Sequence, residues 1–253
     1  MDRYYFTTAD FNYNLIDTLR EGFDHVNNLI NDGHDFRRMV ILAGENASMV
    51  SIQEVLTQDL GMIRNNGVNR IPVIPLNVVF QTVRRYNVTQ GSCDVVISYD
   101  LDSRELLKIE EKCGLGIDVN IEIKQYADIA LWGGVWGVPC PRNEANSFAQ
   151  MNPRLVVRRA LTQISQAINL GNRTVFHPAD DEFVKTCILA LRHHLGDVNS
   201  DEAFAYVVRN QHWSLGIAAI LKKYIDILND GRRFRGGDRH RRRWNELFAG
   251  WQR

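Results

Sequence analysis

The sequence is short of most features that would place it in a special class. Its 253 residues hold only four cysteines, Cys93, Cys113, Cys140 and Cys187, all far apart. No pair has zinc-ligand spacing, and so few in a chain this long do not form a disulfide framework. They read as reduced, mostly buried thiols of an intracellular protein, cytoplasmic or nuclear. No His-x-x-x-His pair occurs. No apolar run approaches the roughly 20 residues that span a bilayer, so a soluble chain with no membrane partner is expected. Sequons begin at Asn46, Asn87 and Asn172, but no signal peptide precedes them and they are discounted. No internal repeat is visible. Net charge is also absent, with 30 basic residues against 30 acidic ones.

What is present is ordinary globular material: 45% hydrophobic and 24% charged residues, a balance that argues against disorder. The charge is unevenly spread. Residues 232–253 hold eight arginines against Asp238 and Glu246, which leaves the preceding body acidic.

Apolar periodicity outlines the elements. Phe11, Leu15, Leu19, Phe23, Val26 and Leu29 predict a helix over 9–31, and Met39–Gly44 a short buried strand. A helix over 48–64 follows, with Ser48 as its cap. Gly44-Glu-Asn-Ala-Ser48 has one glycine and no Lys-Ser/Thr pair, so it is a βα turn and not a phosphate loop. Pro72 and Pro75 suit an edge strand or extended connection, and 78–83 reads as strand or helix. Asp94–Asp100 is a strand, and Asp102 or Ser103 caps a short helix after it. Residues 127–138, with Trp132 and Trp136, read as a buried or interface-packed segment. Asn152 and Pro153 open a helix over 153–170, Thr174–Phe176 is a brief strand, and helices follow over 180–195, 201–210 and 213–229. Asp180, Asp181 and Glu182 after His177 suit a helix N-terminus, and His193-His194 a helix C-terminus. The sum is an α+β or α/β fold, a small central mixed sheet flanked by helices with a helical C-terminal half. A single domain over 1–231 is expected, strand-rich over about 39–126 and helical over 152–231, with a basic arm over 232–253.

The clearest pattern is Gly116–Lys124, where Ile117, Val119, Ile121 and Ile123 alternate with Asp118, Asn120, Glu122 and Lys124. This puts Glu122 and Lys124 side by side on one face of a strand, with Asp94 opening the strand before. An Asp strand, a Glu-x-Lys strand, a helix carrying Gln163 and Gln166 and a further strand resemble the PD-(D/E)xK nuclease superfamily over roughly residues 90–177. Cys93 stands where that pattern has proline, and the Asp-to-Glu interval is 28 residues. The resemblance implies Mg²⁺ or Mn²⁺ held by Asp94 and Glu122, with Asp118 as an extra ligand candidate. Glu122 and Lys124 would be the catalytic pair, and phosphodiester bonds would be hydrolysed. The same residues also suit an amphipathic strand with one solvated face.

The arm carries Arg232, Arg233, Arg235, Arg239, Arg241, Arg242 and Arg243, whose guanidinium forks suit phosphate. Trp244, Leu247, Phe248 and Trp251 then form one apolar helical face. That face is expected to dock on its own body or on a neighbouring subunit, the second making a homo-oligomer. Two functional readings share the arm: an RNA- or DNA-binding nuclease, and a non-enzymatic packaging or self-assembling protein of nucleocapsid-like kind. A purely structural or interaction protein with a charged hinge is the third.

Overall fold

Apolar β-branched runs in the first half of the chain assemble into one sheet. A computed structural model describes residues 1–7, 14–65, 67–86, 94–113, 116–125, 127–168 and 175–253, the side chains of 238–240 excepted. Its strands are β1 (Asp2–Thr7), β2 (Arg38–Ala43), β3 (Ile63–Asn65), β4 (Val68–Arg70), β5 (Asn77–Thr82), β6 (Asp94–Tyr99) and β7 (Ile117–Lys124). They lie in the order β1-β7-β6-β2-β5-β4-β3. The first five are parallel, and β4 and β3 add an antiparallel ribbon at one edge. Parallel strands are covered on both faces. Hence every residue of β6 is buried, and β2 reads as a continuous apolar run.

Helices α1 (Leu15–Asn31) and α2 (Asn46–Gln58) cover one face. Leu19, Phe23, Val26, Ile52 and Leu56 meet Met39, Ile41, Val95, Ile97, Val119 and Ile121 in its core. Helix α3 (Ser103–Cys113) lies on the other face, where Arg3 of β1 and Asn120 of β7 reach its Glu110. Asp102 caps α3 reciprocally: its carboxylate accepts from the Glu105 N–H, and Glu105 accepts from the Asp102 N–H. The chain winds one way through β2, α2 and β5 and the other way through β6, α3 and β7. The reversal falls between the neighbours β2 and β6.

A short helix, α4 (Ala130–Trp136), follows β7. The remainder is helical: α5 (Leu155–Ala167), α6 (Pro178–Leu195), α7 (Ser200–Gln211), α8 (Leu215–Asn229), a 3-10 turn (Asp238–Arg243) and α9 (Trp244–Gln252). Asn199 and Ser214 cap α7 and α8, and His177 caps α6 ahead of Asp180 and Asp181. No helix among the described residues is long and apolar enough to cross a membrane.

The α/β architecture agrees with the sequence, and its subdivision does not. The chain forms two units, Met1–Gly133 with Gly137–Ala149, and Gly134–Trp136 with Gln150–Arg253. The boundary therefore lies near 149, and the expected arm is part of the second unit because its tryptophans are buried there. Other corrections are local. The first described helix begins at Leu15, capped by Asn14, and expected residues 9–13 lie outside the described residues. Helix α2 stops at Gln58, Ser48 lies inside it, and Ile63–Asn65 pairs as β3. Helix α5 begins at Leu155 with Arg154 at the N-cap position and no side-chain cap bond, in place of the expected Asn152 cap. Val175 and Phe176 form no strand, and Thr174 lies outside the described residues. Strand β1 has no counterpart among the sequence expectations.

Candidate nucleic-acid site

The register of the sheet separates the carboxylates that the sequence suggested as metal ligands. Asp94 lies opposite Ile117 on β7, whereas Glu122 lies opposite Ser98 on β6. Four residues along a strand is roughly 13 Å, at about 3.3 Å per residue. One metal ion held at about 2.1 Å cannot be shared across that gap. Asp118 is displaced from Glu122 by the same interval along β7 and is half-buried.

Each carboxylate is also engaged elsewhere. Asp94, fully buried, accepts both arms of the Arg38 guanidinium at 2.9 and 2.8 Å, and Tyr86 Oη at 3.3 Å. Glu122, also fully buried, accepts the Leu101 N–H at 2.9 Å through Oε1, while Oε2 has no partner among the described residues. Burial pushes the Glu122 carboxyl well above the usual range. Asp100 and Glu105 add to the rise, and the Leu101 N–H and Lys124 oppose it. Lys124 is half-buried at the strand end. Among the described residues no three His, Cys, Asp or Glu side chains are placed to hold a metal ion. Asp94 and Glu122 therefore do not fit a shared Mg²⁺ or Mn²⁺ ion, and no catalytic step is derived from them. The polar face of β7 is a buried network. Glu110 Oε1 accepts from Arg3 Nε at 3.0 Å, Trp132 Nε1 at 3.0 Å and Asn120 Nδ2 at 3.3 Å, and Asn120 Oδ1 accepts from Ser98 Oγ at 3.0 Å.

The arginines present a different picture. Residues 150–253 contain 17 basic and 10 acidic residues, a net +7, and residues 1–149 contain 13 basic and 20 acidic, a net −7. Gly134–Trp136 adds no charge, so the helical unit carries +7. Within it a recess of about 590 Å³ is lined by Leu189, Arg192, His193, Leu228, Gly231, Arg232, Arg233, Phe234, Arg241 and Trp244. The end of α6 supplies Arg192 and His193, the loop after α8 supplies Arg232 to Phe234, and the 3-10 turn supplies Arg241.

Two glycines bring that turn against α6. Gly236 and Gly237 both have positive φ, at 103° and 80°. A Cβ on Gly237 would meet the backbone carbonyl carbon of Lys185 at 2.9 Å. Its N–H donates to Glu182 Oε1 at 2.7 Å, and its carbonyl accepts from Thr186 Oγ1 at 3.3 Å. Only glycine allows both the conformation and the approach.

Helix α9 then packs on α5 and α6. Trp244 and Trp251 are buried, Phe248 stacks on His194 with centroids 4.2 Å apart, and Trp251 Nε1 donates to Gln163. Trp244 leans on His193 at 5.6 Å, and Leu247 and Phe248 are half-buried. Of the two expected places for this apolar face, its own unit covers Trp244 and Trp251 and leaves Leu247 and Phe248 half-buried. A second recess of about 460 Å³ places Arg158, Arg159, Gln163, Gln166 and Tyr206 beside Trp251.

Of the arginines marked in the sequence, Arg232, Arg233 and Arg241 line the first recess. Arg235, Arg242 and Arg243 are exposed outside its lining, and the Arg239 side chain lies outside the described residues. Sequence reasoning missed Arg192 and saw His193 only as a dipole partner. A helix C-terminus rich in basic groups was the available signal.

A family model described as a domain of unknown function (DUF1889) matches residues 153–252, nearly the whole helical unit. No curated protein matches the chain, and no solved structure does.

Proposed function

We propose that the protein binds nucleic acid, RNA or DNA, through its helical unit and without catalysis, as a packaging or assembly protein would. The observation that carries this reading is the arginine-lined recess in a unit of net charge +7. Guanidinium forks pair bidentately with phosphate oxygens and stay charged at every physiological pH. A clustered positive face also raises the local concentration of a polyanion and speeds its association. The acidic sheet unit lacks this character, and its candidate ligand Glu122 lies well along the strands from Asp94 and Asp118, so the reading is one of binding.

Fluorescence anisotropy with labelled single- and double-stranded oligonucleotides tests it. Affinity is expected to fall linearly on a log–log plot against salt as counterions are released. An Arg233→Ala/Arg241→Ala double substitution is expected to weaken binding by at least about tenfold and to lower the salt slope by about two. Binding that ignores salt, or that the double substitution leaves unchanged, contradicts the reading.

A further inference from the structure

Charge in the arginine recess is neutralised unevenly. Arg192 is paired with Asp197, and Arg232 with Asp230. Arg233 and Arg241 line the same recess and have no ion-pair partner among the described residues. Arg241 lies over the Trp244 ring at 5.6 Å, which holds its guanidinium beside the aromatic wall. Trp244 is buried, and its indole N–H has no partner among the described residues. Two guanidiniums with no ion-pair partner among the described residues, one imidazole and two aromatic rings therefore surround one volume of about 590 Å³.

Charge and shape together select among phosphates. A phosphodiester inside a strand carries one negative charge and is bonded on both sides, so its chain must enter the site and leave it. A phosphomonoester carries about −1.5 to −2 near neutral pH and offers three acceptor oxygens. Its dianion matches the guanidiniums of Arg233 and Arg241, and the stem of a terminal nucleotide needs only one way in. The volume lies within the roughly 300–1,000 Å³ usual for sites that hold a small molecule, a scale that suits one terminal nucleotide better than a continuous duplex. Aromatic walls stack on any base, because every base has a π face.

Building on the nucleic-acid reading above, we infer that this recess takes the phosphorylated end of a nucleic-acid strand. The terminal phosphomonoester lies between Arg233 and Arg241, and its nucleoside lies against Phe234 and Trp244.

The test uses the full chain and one single-stranded oligonucleotide sequence in three forms: 5′-phosphorylated, 3′-phosphorylated, and hydroxyl at both ends. Anisotropy is read at a fixed salt concentration. One phosphorylated form is expected to bind at least about tenfold tighter than the hydroxyl form, a difference of about 1.4 kcal/mol. Arg233→Ala and Arg241→Ala, both at exposed positions, are each expected to remove most of that preference while unphosphorylated strand still binds through the remaining arginines. Matching circular dichroism and melting curves for the variants would establish that they fold. Equal binding of all three forms overturns the inference and leaves the nucleic-acid reading standing. A preference that survives both substitutions places the end elsewhere and also overturns it. Absence of binding by every form overturns the nucleic-acid reading itself.

Discussion

Glu122 and Asp94 are both fully buried carboxyl groups, and their surroundings give them opposite roles. Glu122 accepts one backbone N–H and has no ion-pair partner among the described residues, so burial pushes its carboxyl above the usual range. Its folded pKa exceeds the unfolded value of about 4.3. Below that value both states are protonated and the group's contribution is fully present. As pH rises further, the unfolded chain loses the proton first, and stability falls until the folded pKa is passed. Glu122→Gln is expected to keep stability within about 1 kcal/mol at pH 5 and to flatten its decline toward pH 8, as read from urea midpoints. An unchanged pH dependence would show that another group controls it. Asp94 is instead held by the two-pronged contact from Arg38. Arg38→Ala strands a buried carboxylate and is expected to cost about 3 kcal/mol, the lower end for a broken buried pair because Arg38 is 25% exposed. Adding Asp94→Asn is expected to recover part of that loss. Urea titration checks both variants.

At the scale of elements, the Gly236-Gly237 passage controls the recess, because it is the point where the chain turns back onto α6. Gly237→Ala would force a side chain into a left-handed conformation and against the Lys185 backbone. The expected result is a local loosening of about 1–3 kcal/mol. Faster amide hydrogen exchange over 238–252, with the sheet unit unaffected, would report it. If exchange there is unchanged, the close approach of Gly237 to α6 is not what holds α9 in place. Much at this scale was legible in the sequence. The alternation over 117–124, the apolar runs of β2 and β6 and the heptad-like aromatic stripe of α9 are all local patterns, and each element forms where its pattern lies. What was not legible depends on distant partners. The polar face of β7 looked fit for water or metal, but Glu110, Arg3 and Trp132 meet it from other elements and make it part of the interior. The arginines after α8 were plain as charge. Their recess also needs Arg192 and His193, about forty residues earlier, and two positive-φ glycines to turn the chain. Strand β1 is six residues long and, among the described residues, pairs with β7 alone, so little in its own sequence marked it.

Across the whole molecule, a formal charge of zero conceals a division into an acidic sheet unit and a basic helical unit, −7 against +7. Such a chain has little net attraction for a polyanion at long range, and binding must come from the local field of one unit. The most direct measurement is hydrogen–deuterium exchange on the full chain, with and without a saturating oligonucleotide at low salt. Binding in the arginine recess predicts protection confined to 189–195 and 228–244, with the strand amides of β6 and β7 unchanged. Protection centred on 94–124, or none over 228–244 while the oligonucleotide is bound, would contradict it.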